Sequence, residues 1–397
     1  MRAMTMRQST FLIYSVLFSA LLSLVFPVSA SAATEFKFGG FVKAAVIGSD
    51  RSVSTFGNDN LAAPTAARPK GLAVAGSQTN DNGLVSFQTA QSRINMSGEV
   101  DKTAKAVLEF DFFDSGKSSP TVAQIPRVRI AKIEYRSNET TVLSAGQDWD
   151  VFAPINVYSY NYVGNNFQAG NAGFMRQQAV LSHLSDDVEL RYAVGMLASN
   201  GTVTVTDAEH TNYPSLAFSA AIGKANDRFG LSALVGRLVL TSGPNGDNRT
   251  DRDVYGVTLF AEKPLGAVAI RSEFYYGQNL ENTGALSLSR ATIANSFREY
   301  GGFVSAKYGL TETSSLFATV GFAQMVNSDD IVPLVATAAT NGPILGMKGN
   351  MAAKLGYDCK FSEKLTAFGE VSRLESNYAG LGAATSYVGE LGLLLQL

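Results

Sequence analysis

The chain closes on the sequence YVGELGLLLQL, residues 387–397, in which apolar residues recur at every second position. Leu391, Leu393, Leu395 and Leu397 share one face of an extended strand, whereas Glu390 lies on the opposite face. Chain ends usually fray and are polar. A terminal strand with a continuous apolar face therefore predicts a partner strand that holds it and apolar surroundings that cover it.

The preceding sequence predicts more strands of the same kind, each of about ten residues with alternating polarity. Tight polar turns, such as RSNETT around Asn138, alternate along the chain with long connections rich in Gly, Asn and Pro, such as 150–173. This pattern, over an even number of strands, predicts a transmembrane antiparallel up-and-down β-barrel with short periplasmic turns and long extracellular loops. The predicted strands are 36–48, 84–99, 104–113, 127–136, 141–149, 174–184, 188–198, 215–224, 228–240, 252–262, 266–277, 297–308, 314–325, 347–358, 364–374 and 384–397.

Alternation along single strands predicts which side chains face lipid. In the segment 188–196, Val188 and Tyr192 share one face and Glu189 and Arg191 share the other. Two segments, 141–149 and 228–240, alternate too weakly for their inward faces to be assigned. The first strand is expected to pair with the last, because lipid tolerates no free sheet edge.

The first residues have the features of an export signal. Arg2 and Arg7 precede an apolar stretch, and the triplet 30–32, Ala-Ser-Ala, has the form of a signal-peptidase site. The sequence therefore predicts a cleaved signal peptide over 1–32 and a single barrel domain over 33–397. Such a barrel is expected in the outer membrane of a Gram-negative bacterium, in contact with its lipid and lipopolysaccharide.

The composition argues against several classes of function. Charged residues make up 17% of the chain, the formal net charge is −2, and there is one cysteine, Cys359. These values favour neither nucleic-acid binding nor a disulfide framework. The two histidines, His183 and His210, belong to no recognisable catalytic motif or metal site. We expect no enzymatic activity, no cofactor and no metal.

A barrel of about sixteen strands is wide enough to enclose an aqueous channel. Its inward positions carry many charged residues, and guanidinium groups among them can bind carboxylates through two hydrogen bonds. A cluster of such groups predicts a preference for small anions, including dicarboxylates. The arginines expected to line the solute pathway are Arg93, Arg127, Arg129, Arg176, Arg191 and Arg271.

Two long connections lead to different expectations. The segment 150–173 is aromatic and almost free of charge after Asp150, which would be a liability on an exposed loop. We expect it to fold into the barrel and narrow the channel; packing against a neighbouring subunit is the alternative. The segment 58–83 has little periodicity and is expected to form a surface loop.

An ordered series of motifs covers roughly residues 36–180. The motifs are EFKFGGFVKAAVIGSD at 35–50, QSRINMSGEV at 91–100, AVLEFDFF at 106–113, RVRIAKIEY at 127–135, LSAGQDWDVF at 143–152 and FMRQQAVL at 174–181. In this order they resemble the DcaP-like porins. The chain differs from the family pattern at Phe41 and Asp148 and in ending on Leu397 instead of Phe. The resemblance implies a sixteen-stranded porin, a homotrimer, and small anionic solutes such as dicarboxylates.

The sequence leaves one main alternative to a porin: a structural or adhesive outer-membrane barrel whose lumen is plugged by loops. An outer-membrane enzyme and a soluble secreted all-β protein fit less well. The enzyme would need a nucleophile, a base and an orienting group. The soluble protein would not account for two classes of loop length or for the apolar closing strand.

Overall fold

A computed structural model describes residues 35–51, 53–54, 64–68, 73–74, 78–79, 82–100, 103–113, 126–162, 164–196, 214–242, 248–280, 283–286, 296–328 and 346–397. The predicted signal peptide, 1–32, lies outside the described residues. Within them, no helix is long and apolar enough to cross a membrane.

The described chain folds into one large antiparallel sheet of sixteen strands, the number predicted. Two short ribbons lie outside this sheet: Val53–Ser54 pairs with Ala66–Ala67, and Ala73–Val74 pairs with Gln78–Thr79. The second strand consists of two segments, β2a and β2b, which both pair with β1. The strands are β1 Glu35–Ser49, β2a Leu84–Gln88 with β2b Arg93–Val100, β3 Ala104–Asp111, β4 Arg127–Arg136, β5 Thr141–Trp149, β6 Met175–Leu184, β7 Val188–Gly195, β8 Ser215–Lys224, β9 Asp227–Ser242, β10 Asn248–Leu265, β11 Val268–Gln278, β12 Arg298–Gly309, β13 Ser314–Met325, β14 Met347–Lys360, β15 Leu365–Tyr378 and β16 Gly382–Gln396.

The sheet closes on itself through its first and last strands. Strand β1 pairs with β16 from Phe41 opposite Gln396 to Ser49 opposite Val388. The backbone N–H of Leu397 also donates to the carbonyl oxygen of Gly40, at 3.1 Å. Every other strand pairs with its neighbours in sequence. The closing role predicted for the terminal segment is confirmed, and the barrel has no free edge.

The outer face of the barrel is apolar, as the alternation predicts. Leu391, Leu393 and Leu395 are exposed on the outside of β16, and Glu390 is buried on the inside. Strand β13 alternates in the same way over its whole length, with Val320 outside and Thr319 inside. An apolar exterior around a polar interior is the reverse of a soluble protein and suits a lipid environment.

The two rims of the barrel differ less regularly than predicted. Seven tight turns join strands at one rim, the short-turn rim, and most connections at the opposite, long-loop rim are extensive. The predicted strands 364–374 and 384–397 leave a long connection between them, but the observed connection of β15 to β16 is only 379–381. Both strands extend further than predicted because inward polar groups near their ends have partners: Tyr378, for example, donates to the carbonyl oxygen of Ala67 at 2.7 Å.

The core lies inside the barrel, near the long-loop rim. Ala66 and Ala67 are fully buried there against the inner wall, and Asn350 on β14 donates to the carbonyl oxygen of Thr65 at 2.9 Å. The expectation that 58–83 forms a surface loop is therefore wrong for the described residues 64–68. Their small side chains fit into a crowded interior, and neighbouring polar side chains satisfy their backbone groups.

Candidate functional site

The loop that follows β5 folds into the barrel, as predicted for 150–173. Asp150 fixes its base, since it accepts hydrogen bonds from the backbone N–H groups of Ala153 at 2.9 Å and Phe174 at 3.1 Å. Arg176 Nε donates to the same carboxylate at 3.2 Å. The two ends of the loop are thus joined by one buried side chain, which makes it a closed unit.

The body of the loop packs on the inner wall formed by β9 to β13. Phe152 and Ile155 are buried, and the backbone N–H of Tyr158 donates to Ser305 Oγ on β12 at 2.9 Å. On the return path, Gly170 approaches Gly302 so closely that a Cβ at Gly170 would lie 2.1 Å from the carbonyl oxygen. Glycine is required on the loop here because the backbones are in direct contact and φ is +108°.

The tip of the loop crosses the lumen to β15 and β2. The ring of Tyr160 stacks on Phe368 with centroids 4.1 Å apart and planes 3° from parallel. The carboxylate of Glu370 accepts hydrogen bonds from Ser159 Oγ at 2.8 Å and from the backbone N–H of Tyr160 at 2.9 Å. An aromatic contact and a carboxylate therefore hold the tip against the wall.

Lys43 on β1 connects the loop tip to the barrel seam. Its Nζ lies 2.5 Å from Glu390 Oε1 on β16 and 2.8 Å from Gln91 Oε1, and it also donates to the carbonyl oxygen of Tyr160. Gln91 lies in the interruption between β2a and β2b, where Ser92 Oγ accepts the backbone N–H of Lys43. The interruption of the second strand, which the sequence did not predict, supplies these two partners.

Three of the predicted pathway arginines form one group. Arg127 and Arg129 both bond to Asp111, at 2.6 Å and 3.0 Å, and Arg129 also bonds to Glu109 at 2.8 Å. Arg93 lies 3.7 Å from Glu109. Three guanidinium groups and two carboxylates leave this arginine cluster with one net positive charge. Arg93 and Arg127 keep partial exposure, whereas Arg129 is only 2% exposed.

Two further predicted arginines belong to a second group near the short-turn rim. Arg228 on β9 bonds to Glu189 at 3.0 Å and to Glu262 at 2.8 Å. Arg191 pairs with Glu189 at 2.9 Å, and Arg271 pairs with Glu262 at 3.2 Å. The result is a chain of alternating charges across β7 to β11, which we call the ion ladder. It also carries one net positive charge, and Arg191 is 35% exposed.

The sixth predicted arginine, Arg176, lies apart from both groups. It is 3% exposed beneath the inward loop, and its carboxylate partner is Asp150. Its two terminal nitrogens have no hydrogen-bond partner among the described residues. Its visible contact fixes the base of the loop. Arg176 is therefore not joined to Arg93, Arg127 and Arg129 by the described ion pairs, although all four were expected to line the solute pathway.

Several interior charges were not identified from the sequence. Lys132 bonds to Glu134 on its own strand and to Asp148 on β5, each at 2.7 Å. Asp148 lies on the strand whose inward face could not be assigned, because Gly146, with φ of +128°, disturbs the alternation there. Arg228 lies on the other such strand. The alternation of polarity alone could have identified Glu262 and Lys43 as inward residues. Each lies on a regular strand, and apolar residues near it in the sequence point to the opposite face of that strand.

The inward loop also carries a tyrosine beside the arginine cluster. The guanidinium of Arg93 lies 5.3 Å from the centroid of the Tyr162 ring. Burial raises the pKa of Tyr162 to about 12, although the positive charge of Arg93 opposes this shift. The hydroxyl is therefore neutral at pH 7 and adds no negative charge to the site.

No family model matches the sequence, and no curated protein matches it significantly. Solved structures do match. The outer membrane channel DcaP of Acinetobacter baumannii superimposes with a TM-score of 0.67 at 12% identity, over 93% of this chain and 99% of that one. The outer-membrane-expressed OmpT of Vibrio cholerae superimposes with a TM-score of 0.53 at 12% identity, over 93% of this chain and 100% of that one. OprB of Pseudomonas putida superimposes with a TM-score of 0.55 at 9% identity, over 91% of this chain and 94% of that one.

The chain has the fold of these outer-membrane proteins. At 9–12% identity, the match concerns the arrangement of strands and not the side chains of the lumen. The resemblance to DcaP-like porins found in the sequence is confirmed for the fold. What the lumen does must be argued from the residues of this chain.

Proposed function

We propose that the protein is an outer-membrane porin that lets small hydrophilic solutes diffuse passively, with a preference for small anions such as dicarboxylates. The observation that carries the proposal is the charge of two groups of side chains that line the lumen. Among the described interior residues, the arginine cluster and the ion ladder each hold three guanidinium groups against two carboxylates. A net positive charge on the low-dielectric wall of a narrow channel attracts anions and repels cations.

The exposure of the arginines selects the residues that would meet solutes. Arg93, Arg127, Arg191 and Arg271 keep 17–35% of their side-chain surface accessible. Each is already bonded to a carboxylate, which orients the guanidinium without using all five of its N–H donors. A passing carboxylate would replace water as the hydrogen-bond acceptor for the remaining N–H groups. Arg129 and Arg176 would instead support the pathway from behind.

The outer surface supports the proposed location. Apolar side chains such as Leu259, Val320, Leu355 and Val371 face outward around the barrel. Such a band would be unstable in water and is stable in a bilayer. We propose further that residues 1–32 are removed on export and that the barrel contacts lipid and lipopolysaccharide directly.

Homotrimer formation is part of the proposal. One structural neighbour, the in-vitro folded OmpT of Vibrio cholerae, is a trimer form with a TM-score of 0.54 at 11% identity. For this chain the trimer is supported by the sequence resemblance to trimeric porins. It predicts that channels appear and close in groups of three.

The burial of several loops inside the barrel favours a second candidate, a structural barrel with a plugged lumen. Residues 64–68, most of 164–173 and 283–286 are buried near the long-loop rim. Single-channel recording in a planar bilayer under a salt gradient separates the two. Stepwise conductance in threes with a reversal potential on the anion side supports the porin. Folded protein that gives no conductance supports the plugged barrel.

A further inference from the structure

We infer that solutes pass along one side of the lumen, the wall formed by β3 to β8, and that the wall from β12 to β16 is closed to them over most of its height. The inference rests on the proposed function and adds the route. It follows from which inner-wall side chains the loops cover and which they leave accessible.

On the wall from β12 to β16, the loops bond to the inward side chains directly. Ser305 and Thr319 both contact the segment around Tyr158, and both are almost fully buried. Higher on the same wall, Ser376 Oγ accepts the backbone N–H of Ala67 at 3.0 Å. Ser305, Thr319 and Ser376 therefore form hydrogen bonds with the backbone of the loops. The loops occupy the space in front of this wall that a hydrated solute would need.

The charges on this wall are covered in the same way. Lys354 and Glu370 face each other at 3.6 Å, and each side chain is 3% exposed. Lys43 and Glu390 at the seam are equally buried. The four residues carry two positive and two negative charges and so have no net charge. A solute neither reaches them nor gains from their field.

The wall from β3 to β8 is different at the same height. Lys132 bonds to both Glu134 and Asp148, and the three side chains remain 18–30% exposed. Arg127 and Arg191 on the same side are also accessible. Exposed ion pairs keep their hydration and can exchange partners with a passing ion, which buried pairs cannot.

The loops no longer cover the wall from β12 to β16 near the short-turn rim. Lys307 on β12 lies two residues nearer that rim than Ser305 and is 36% exposed, although it bonds to Asp358 at 2.8 Å. The two sides of the barrel therefore join in one accessible vestibule at this rim. They become unequal only at the level of the inward loop.

Substituted cysteines test the route. The background is Cys359→Ser, which removes the native thiol. Ser144→Cys and Ser305→Cys form a matched pair, because each serine lies three or four residues from the short-turn end of its strand. Ser144 stands opposite Glu134 and Val180 and is partly exposed, whereas Ser305 is fully buried. Ser376→Cys provides a second covered position near the long-loop rim, and Ser182→Cys reports access to the vestibule at the short-turn rim.

The probe is 2-sulfonatoethyl methanethiosulfonate, applied to the folded, detergent-solubilised protein and followed by intact mass. The protein thiolate attacks the sulfenyl sulfur, a disulfide forms, and methanesulfinate leaves. We expect Ser144→Cys and Ser182→Cys to react at least about ten-fold faster than Ser305→Cys and Ser376→Cys, because reactivity follows access. A native heat-modifiable gel shift confirms that each variant is folded.

Equal labelling rates on the two walls, or faster labelling on the wall from β12 to β16, would overturn the inferred route. Failure of the proposed function gives a different result: wild-type protein is silent in bilayers, whatever the labelling pattern. When the protein conducts, labelling of Ser144→Cys also places a negative charge on the route and lowers its anion preference. Labelling without any change in ion selectivity would contradict the route as well.

Discussion

Lys43 on the first strand and Glu390 on the last strand form an ion pair inside the barrel, with Nζ and Oε1 2.5 Å apart and both side chains at most 6% exposed. The same ammonium group donates to the carbonyl oxygen of Tyr160 at the tip of the inward loop. One side chain therefore links barrel closure to the position of the loop. The ammonium group also donates to Gln91 Oε1 and lies over the rings of Tyr162 and Phe368.

We expect Lys43→Met to destabilise the protein by about 3–5 kcal/mol, because it leaves the buried Glu390 carboxylate without a counter-charge. The measurement is denaturant unfolding in detergent micelles, followed by tryptophan fluorescence. Lys37→Met is the matched control, since Lys37 pairs with Glu35 in an exposed position and its loss should cost less than ~1 kcal/mol.

The double variant Lys43→Met with Glu390→Leu tests the cause. Replacing both partners removes the uncompensated charge, so it should recover most of the stability lost in Lys43→Met. A double variant no more stable than Lys43→Met would show that the contacts of Lys43 with Gln91 and Tyr160 matter more than the ion pair.

The sequence predicted the number of strands, their direction and the faces of the regular ones, because a period of two follows directly from strand geometry. It also predicted that 150–173 enters the barrel, from its lack of charge. It did not predict that 64–68 would be buried too. Period two identifies inward positions, but it carries no information on which of them a loop will cover. Arg176 and Arg191 look alike in sequence, yet one is beneath the loop and the other is accessible.

Irregular backbone explains the other differences. The interruption at Thr89–Ser92 shifts the pairing of the second strand with β1 by one residue, and Gly40 and Gly146 adopt a positive φ within continuous pairing. Such features depend on tertiary partners, in this case Lys43 and the tip of the loop. The sequence there reads as a continuous alternating segment.

Loosening the tip of the inward loop should change the channel current. We expect Tyr160→Ala to remove a ring stack worth about 0.5–1.5 kcal/mol beyond its buried area, so that the tip leaves the wall more often. Single-channel recordings should show increased current noise and brief closures. Tyr300→Ala is the control, because Tyr300 contacts Phe322 on the outer face and should leave the noise unchanged. A quiet Tyr160→Ala channel would mean that the tip does not border the current path.

Ion selectivity should follow the charge of the ion ladder. Replacing Arg191 and Arg271 by Gln changes the net charge of its five members from +1 to −1. One charge about 6 Å from a passing ion in water contributes about 0.7 kcal/mol, a factor of about three that favours the anion and an equal factor that disfavours the cation. Each replacement should therefore lower the anion-to-cation preference about ten-fold. Reversal potentials under a salt gradient measure the change, which should shrink at high salt.

Arg237→Gln is the matched control for these substitutions. Arg237 bonds to Asp253 at 2.9 Å and shares the outer face of β9 with the exposed Val235. Its loss removes the same charge from outside the lumen and should leave the reversal potential unchanged. If Arg237→Gln shifted the reversal potential as much as Arg271→Gln, selectivity would reflect the overall charge of the protein and not the lumen.

The contact between Gly170 and Gly302 predicts a strong effect from a single methyl group. In Gly170→Ala the new Cβ would lie 2.1 Å from the carbonyl oxygen of Gly302, and alanine would also have to adopt a φ of +108°. The backbone strain alone costs about 1–3 kcal/mol, so the loop should separate from the wall even if the barrel stays closed. Limited proteolysis should then cut within 150–173, and the melting temperature should fall. Gly389→Ala on β16 is the control, because its Cβ would meet nothing within 4 Å. Equal protease resistance in Gly170→Ala and Gly389→Ala would show that the loop does not depend on this close approach.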